Sequence, residues 1–399
     1  MSLSPLPLSY CTNVHPGQTV AEVERGLDEF TGPVRGNFGP LAAGLWLASP
    51  VIAELLKSPE TRQAFADGVA KRRLTCHTLN AFPFGDFHSK RVKENVYIPD
   101  WTQPARLNYT VGCATVLAEL LPEGVEGRIS TVPLGFKPFE HPADFVSRCV
   151  TTLLECARQL DRLFAETGRL IRLAIEPEPV CVLETTPEAI AFFDQLWLAA
   201  ADANVLDIAR RHLGLCYDVC HQAVEFEDVP SSIRALDAAG VRINKVHITC
   251  ALQLDHPATN HAGRQALAQY VEERYLHQTF AHGANGHVIH QVDLTDSLAL
   301  QPPPEFLNAD MWRIHFHVPV DADSLGPLST TRADLKLALT EIARLNYAPH
   351  LEVETYTWQV LPDGRRPTGA ATLVDGLTRE LVSTRELLKS VSVGTAGKM

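Results

Sequence analysis

Four apolar runs in this chain end in side chains that can hold a proton or a metal. LAIEPEP supplies Glu176 and Glu178, and LGLCYDVCH supplies Asp218 and then His221. INKVHIT supplies His247, and HLEVETY supplies Glu352 and Glu354. An ionisable group at the end of a buried strand is costly unless it is paired or coordinated. Four such endings point to one shared site. Side chains two apart lie on one face of a strand, roughly 6.5–7 Å from each other, so one glutamate of each pair reaches a given cation. Glu176, just before the proline break, and Glu354, nearer the strand end, are the favoured members. Glu176, Asp218, His247 and Glu354 make a three-oxygen, one-nitrogen set. That set suits one divalent metal (Mn, Zn, Co or Mg) and argues against a thiolate site.

Other residues can be weighed against blander readings. His315 and His317 share a face of WRIHFHVPV, as extra ligands, substrate contacts or merely half-solvated histidines of a capping strand. His77 shares a face with Thr75 and points to the mouth or to the opposite end. Lys245 lies one layer below His247 and, if buried, needs a carboxylate partner such as Glu352. His287 and His290 fall on opposite faces of their run and are set aside. Lys90, Arg91 and Lys93 read as solvated loop residues, with an anion clamp as the alternative. Asn13 and His15 close the first strand and are placed like the other strand ends.

The elements that must position these residues alternate. Short apolar strands are read at 8–14, 44–48, 74–79, 128–134, 170–176, 213–218, 242–249 and 350–356, with a helix after each. Thr19 and Glu22 form a capping box. Ser58-Pro59-Glu60 and Thr186-Pro187-Glu188 read as helix starts, and Gly168 reads as a helix stop. Helix is also expected over 260–280, and further strands over 286–294 and 312–320. Leaving aside a block at about 251–328, the alternation occurs eight times. It implies a (β/α)8 TIM barrel with a large insertion after strand seven, the whole chain forming a single barrel domain. An open doubly wound sheet is the runner-up, but no G-x-G-x-x-G follows the first strand. The segment 80–103 is an unusually long loop carrying Phe82, Phe84, Phe87, Tyr97 and Trp101, the pattern of a lid.

Composition narrows the classes. A net charge of −12 disfavours nucleic-acid partners and anionic membranes. The most apolar window, 41–56, is broken by Gly44 and Pro50, so no membrane insertion is expected. The first basic residue is Arg25, too late for a leader's charged region. The nine cysteines lie mostly inside apolar segments, as in a reduced, cytoplasmic protein. G-x-S-x-G, H-E-x-x-H and Walker patterns are missing from the sequence. A small-molecule partner remains; the sequence leaves the oligomeric state open.

Glu, Asp-x-x-His, His and Glu on successive strands resemble the xylose-isomerase-like TIM barrels, in particular the ketose 3-epimerases and inosose dehydratase relatives. The resemblance implies that Glu176, Asp218, His247 and Glu354 ligate one metal and that Glu176 and Glu354 act as acid and base. It also implies that His221 contacts a substrate oxygen. His317, His77 and Glu352 are further substrate-side candidates, from their strand positions alone. The stretches TLNAFPFGDFH…VKENVYIPDW, WRIHFHVPV and HLEVETYTW are more similar to the EboE metabolite-traffic group, which implies a binding role with little or no turnover as the alternative. The chain departs from sugar epimerases in lacking an arginine just after His247 and in the length of its insertion.

Overall fold

The computed structural model describes residues 3–283 and 286–396, with side chains to 392. Eight parallel strands close into a ring. They are β1 (Ser9–Cys11), β2 (Ala42–Trp46), β3 (Thr75–Asn80), β4 (Gly127–Thr131), β5 (Ile171–Ile175), β6 (Leu213–Asp218), β7 (Ile243–Ile248) and β14 (His350–Val353). The order β1-β14-β7-β6-β5-β4-β3-β2 completes a (β/α)8 barrel. The strands read as near-continuous buried runs because helices cover their outer face while side chains fill the interior.

Local signals set most boundaries. The Thr19–Glu22 capping box starts the helix Val20–Gly26. The Ser58 hydroxyl accepts from the Thr61 N–H at the head of Pro59–Lys71. Gly168, at φ +70°, ends Phe145–Thr167 in a left-handed conformation that costs glycine little. The helix Thr186–Asp202 starts one residue earlier than expected, because Thr185 is the capping residue that pairs with Glu188. All nine cysteines are free and buried. No helix among the described residues is long and apolar enough to cross a membrane.

Between β7 and the helix Arg332–Ile342 lies the insertion, an antiparallel sheet of order β10-β9-β11-β8-β13-β12. Its strands are β8 (Leu252–Asp255), β9 (Thr279–His282), β10 (Val288–Gln291), β11 (Met311–Ile314), β12 (Ser324–Leu325) and β13 (Leu328–Thr330). Helix over 260–280 is corrected. It spans only His261–Ala268, and the chain turns extended at β9 to pair with β10 and β11. The strand expected over 312–320 stops at Ile314, so His315 and His317 stand on irregular backbone beyond β11.

The loop after β3 lies over the mouth. Phe82, Phe87, Tyr97 and Trp101 in it are buried. Lys93 is buried too, which corrects its reading as a solvated or anion-clamping residue. Its ammonium donates to the carbonyls of Glu272 and Tyr275 and pairs with Asp293 at 2.6 Å, pinning the loop to the insertion. Lys90 and Arg91 are the surface residues expected, next to Glu273 and Glu94.

Candidate metal centre

Strands β5, β6, β7 and β14 bring Glu176, Asp218, His247 and Glu354 to one point at their C-terminal ends, each offering a ligand atom within 4.8 Å of the others. His247 Nδ1 lies 3.0 Å from Glu176 Oε1, 3.1 Å from Glu354 Oε2 and 3.5 Å from Asp218 Oδ2. All four residues are buried. A nitrogen surrounded by three carboxylates must carry either a proton or a cation. Glu176 Oε2 and Asp218 Oδ2 have no hydrogen-bond partner. Buried carboxylate oxygens left bare in this way fit a divalent cation.

The surroundings divide the three acids. Burial pushes the Glu176 carboxyl up to about 7, against the pull of His247. Burial also acts on Asp218, but the rings of His221 and His317 outweigh it and hold that carboxyl low. Glu354 is likewise lowered against burial, chiefly by His247. Its Oε1 accepts from the side-chain amides of Asn13 at 2.9 Å and Asn80 at 2.7 Å.

Beneath this layer sits a second. Lys245 Nζ is 2.7 Å from Glu352 Oε1, with both side chains fully excluded from solvent. Lys245 found the partner its position demanded. Glu352 Oε2 also accepts from the Ser9 hydroxyl. Glu352 is thus occupied below the mouth rather than lining it, a correction to its reading as a substrate contact. The period-two alternation that puts Glu354 at the mouth puts Glu352 one layer down. His77 is corrected in the same way, since its ring stands edge-on to His350 at the start of β14. A bulge between β2 and β3 sets Ala42–Gly44 against Thr75–Thr78. That bulge shifts the side-chain phase, so the residue of β3 that reaches the mouth is Asn80.

Above the tetrad is a cavity of about 50 Å³, lined by Glu176, Glu178, His221, His315, His317 and Glu354 on its polar side. Phe82, Phe87, Tyr275 and Tyr356 form its apolar side. That volume accommodates a few water-sized groups. The insertion delivers His315 and His317 here, beside His221, with Nε2 atoms 3.1 and 3.2 Å apart along the series. Further buried clusters able to hold a cation form around them, among them Asp218–His221–His317 and Glu178–His221–His315. Tyr97 of the loop donates to Glu178 at 2.7 Å, so the lid touches the site directly. His15 turns away from the mouth, stacking on Phe30 and contacting the Tyr10 hydroxyl.

Asn80 and Gln278 were not legible as site residues. Amides do not titrate and so drew no notice among acids and histidines. The bulge that brings Asn80 to the mouth leaves no mark on the local sequence, and Gln278, whose Oε1 lies 2.8 Å from His315 Nδ1, falls within the span where a helix was expected.

No family model and no curated protein matches this chain. Solved structures do match. A xylose isomerase-like TIM barrel protein from Mycobacterium smegmatis, in complex with magnesium, is 12% identical with a TM-score of 0.50, over 97% of this chain and 99% of that one. The IOLI protein with a bound zinc atom is 11% identical, with a TM-score of 0.47 over 97% and 99%. A D-tagatose 3-epimerase-like protein is 13% identical, with a TM-score of 0.45 over 96% and 99%. At such identities the likeness concerns the fold.

Proposed function

We propose that the protein is a divalent-metal-dependent isomerase or epimerase acting on a small hydroxy-carbonyl metabolite. The observation that carries this reading is the convergence of Glu176, Asp218, His247 and Glu354 with two carboxylate oxygens left bare. A divalent cation held there supplies Lewis acidity toward a carbonyl. The chain's own residues do the rest. Asn13 and Asn80 fix the Glu354 carboxylate in one orientation. Glu176 stands across His247 from it with Oε2 free. In this reading one of the two carboxylates takes a proton from carbon and the other returns one. His221 and His317 front the cavity next to the polar end of a ligand, and the lid aromatics exclude water.

The test is metal content, followed by turnover on a panel of small hydroxy ketones and aldehydes before and after chelation. Glu176→Gln and Glu354→Gln are each expected to lower turnover by roughly 10²–10⁴-fold. Full turnover in both variants would sink the assignment.

The small, largely apolar cavity favours a second reading: retention of a metabolite with little turnover, the role that resemblance to the EboE group implies. A ligand that binds tightly and leaves unchanged would select it.

A further inference from the structure

We propose that the ligand of this cavity is an uncharged hydroxy-carbonyl compound with an aromatic tail, its polar head at the tetrad and its ring against the lid side. The head rests on the function proposed above; the tail rests on the cavity wall alone.

Three separate parts of the chain assemble that wall. Phe87 comes from the lid, Tyr275 from the insertion and Tyr356 from the segment after β14. Their rings pack on one another, with centroids 4.8 Å apart for Phe87 and Tyr275, 5.3 Å for Phe87 and Tyr356, and 5.0 Å for Tyr275 and Tyr356. Tyr356 also lies 4.8 Å from the His317 ring, so the apolar wall begins where the polar side ends. Phe82, Val96 and Leu276 extend it. Counted out to its opening, the space between the walls is about 500 Å³, within the range of small-ligand clefts. A flat ring fits such a wall offset or edge-on, as the three rings fit one another.

The wall has little to offer a polyol. Tyr275 donates its hydroxyl to the Phe87 carbonyl at 3.2 Å. Tyr97 donates to Glu178 and accepts from the Gln278 amide. Both hydroxyls are spent inside the protein. A hydroxyl of a ligand laid against this wall gives up water without gaining a partner, which an apolar tail does not.

Charge is disfavoured as well. Lys93 is the only Lys or Arg among the described residues lining the cavity. An ammonium has three hydrogens, and those of Lys93 go to the Glu272 and Tyr275 carbonyls and to Asp293. None is left for a ligand. Glu176, Glu178 and Glu354 line the same cavity, so a phosphate or carboxylate tail would be buried near acids with no side-chain cation to pair with. An ammonium tail would need one of those acids, and they stand on the polar side with the head.

The experiment uses the full chain, stripped with chelator, reloaded with Co²⁺ and titrated calorimetrically with one head on four tails. The probes are hydroxymethyl ketones bearing phenyl, hydroxymethyl, phosphomethyl and trimethylammoniomethyl groups. The phenyl ketone is expected to bind about tenfold or more tighter than the hydroxymethyl one, and the phosphomethyl ketone weakest. Val96 and Leu276 are half-buried, so changes there leave the buried lid rings in place. Val96→Lys puts a free cation on the wall and should reverse the order of the phenyl and phosphomethyl ketones. Leu276→Asn should cut the phenyl preference several-fold. Circular dichroism separates either loss from loss of fold. Tighter binding of any other tail to the native chain overturns the aromatic tail, as does a phenyl preference that neither variant alters. Equal binding of the phenyl ketone to the metal-free chain, with the variant effects intact, keeps the tail and removes the metal-assisted reading. Binding of none of the four overturns the tail and leaves the metal-assisted reading to its own turnover test.

Discussion

Lys245 and Glu352 face each other with no access to water, one layer under the tetrad. Removing one partner of such a pair leaves a bare buried charge, at a cost of about 3–5 kcal/mol. Lys245→Met is therefore expected to lower unfolding stability by that order, and adding Glu352→Leu should restore part of it. Urea unfolding of the two variants checks this; equal losses in the single and double variants would contradict it. Gly44 belongs to the same layer. A Cβ there would fall 1.6 Å from Glu352 Oε2 and 3.0 Å from the Tyr10 carbonyl, so Gly44→Ala should be among the most disruptive single-methyl additions in the chain. At this scale the sequence was readable wherever period-two alternation held. It gave Glu354 above Glu352 and His247 above Lys245. It failed at β3, where the bulge moved His77 down and brought Asn80 up. A bulge arises from pairing with a distant strand and leaves no mark on the local pattern.

The helix Ala370–Ala396 follows the last barrel strand and fastens two other elements through Glu380. That carboxyl accepts from the Val320 N–H at 3.0 Å, the Thr355 hydroxyl at 2.6 Å and the Trp358 indole at 2.9 Å. Burial pushes it up to about 7 from 4.5, although the three donors pull the other way. The folded state thus binds this proton more tightly than the unfolded chain does. The contribution is fully present below about pH 4.5 and is lost as pH rises through about 7, on the order of 3 kcal/mol in all. Unfolding midpoints at pH 5 and pH 8 should therefore differ more in the native chain than in Glu380→Gln; an identical difference in both would rule the effect out. Element boundaries marked by local chemistry, such as the capping boxes and Gly168, were readable. The insertion was not. β8 and β9 owe their extended form to partners across an antiparallel sheet, and of the helix expected over 260–280 only His261–Ala268 forms, with β9 taking the last two residues of the span.

At the scale of the whole molecule, barrel, insertion and lid meet over the site. Eight alternations were enough to read the barrel and place the insertion after its seventh strand. That the lid is tied to the insertion could not be read, because the tie joins Lys93 to residues some 180–200 positions away. Lys93 holds an unfavourable φ of +40° and its own N–H donates to the Arg274 carbonyl at 2.7 Å. The Asp293 carboxylate that receives its ammonium also accepts from the His277 N–H, and His277 Nδ1 donates to the His315 carbonyl at 3.0 Å. The lid is thus linked through three residues to the backbone that carries the imidazole trio. Lys93 and Tyr97 of the lid also line the cavity, so a change in this tie reaches the cavity wall. Lys93→Met removes the ammonium and leaves two carbonyls and Asp293 without it. The pair is partly open to water, so the loss is discounted to roughly 1–2 kcal/mol. Opening should then be about tenfold or more easier. Amide exchange across 81–103 should accelerate by that factor, and release of bound Co²⁺ to a chelator should quicken in parallel. If exchange speeds up while metal release does not, the lid opens without reaching the cluster. If neither changes, the buried aromatics Phe87, Tyr97 and Trp101 hold the lid by themselves, and the Lys93 tie has no part in gating the site.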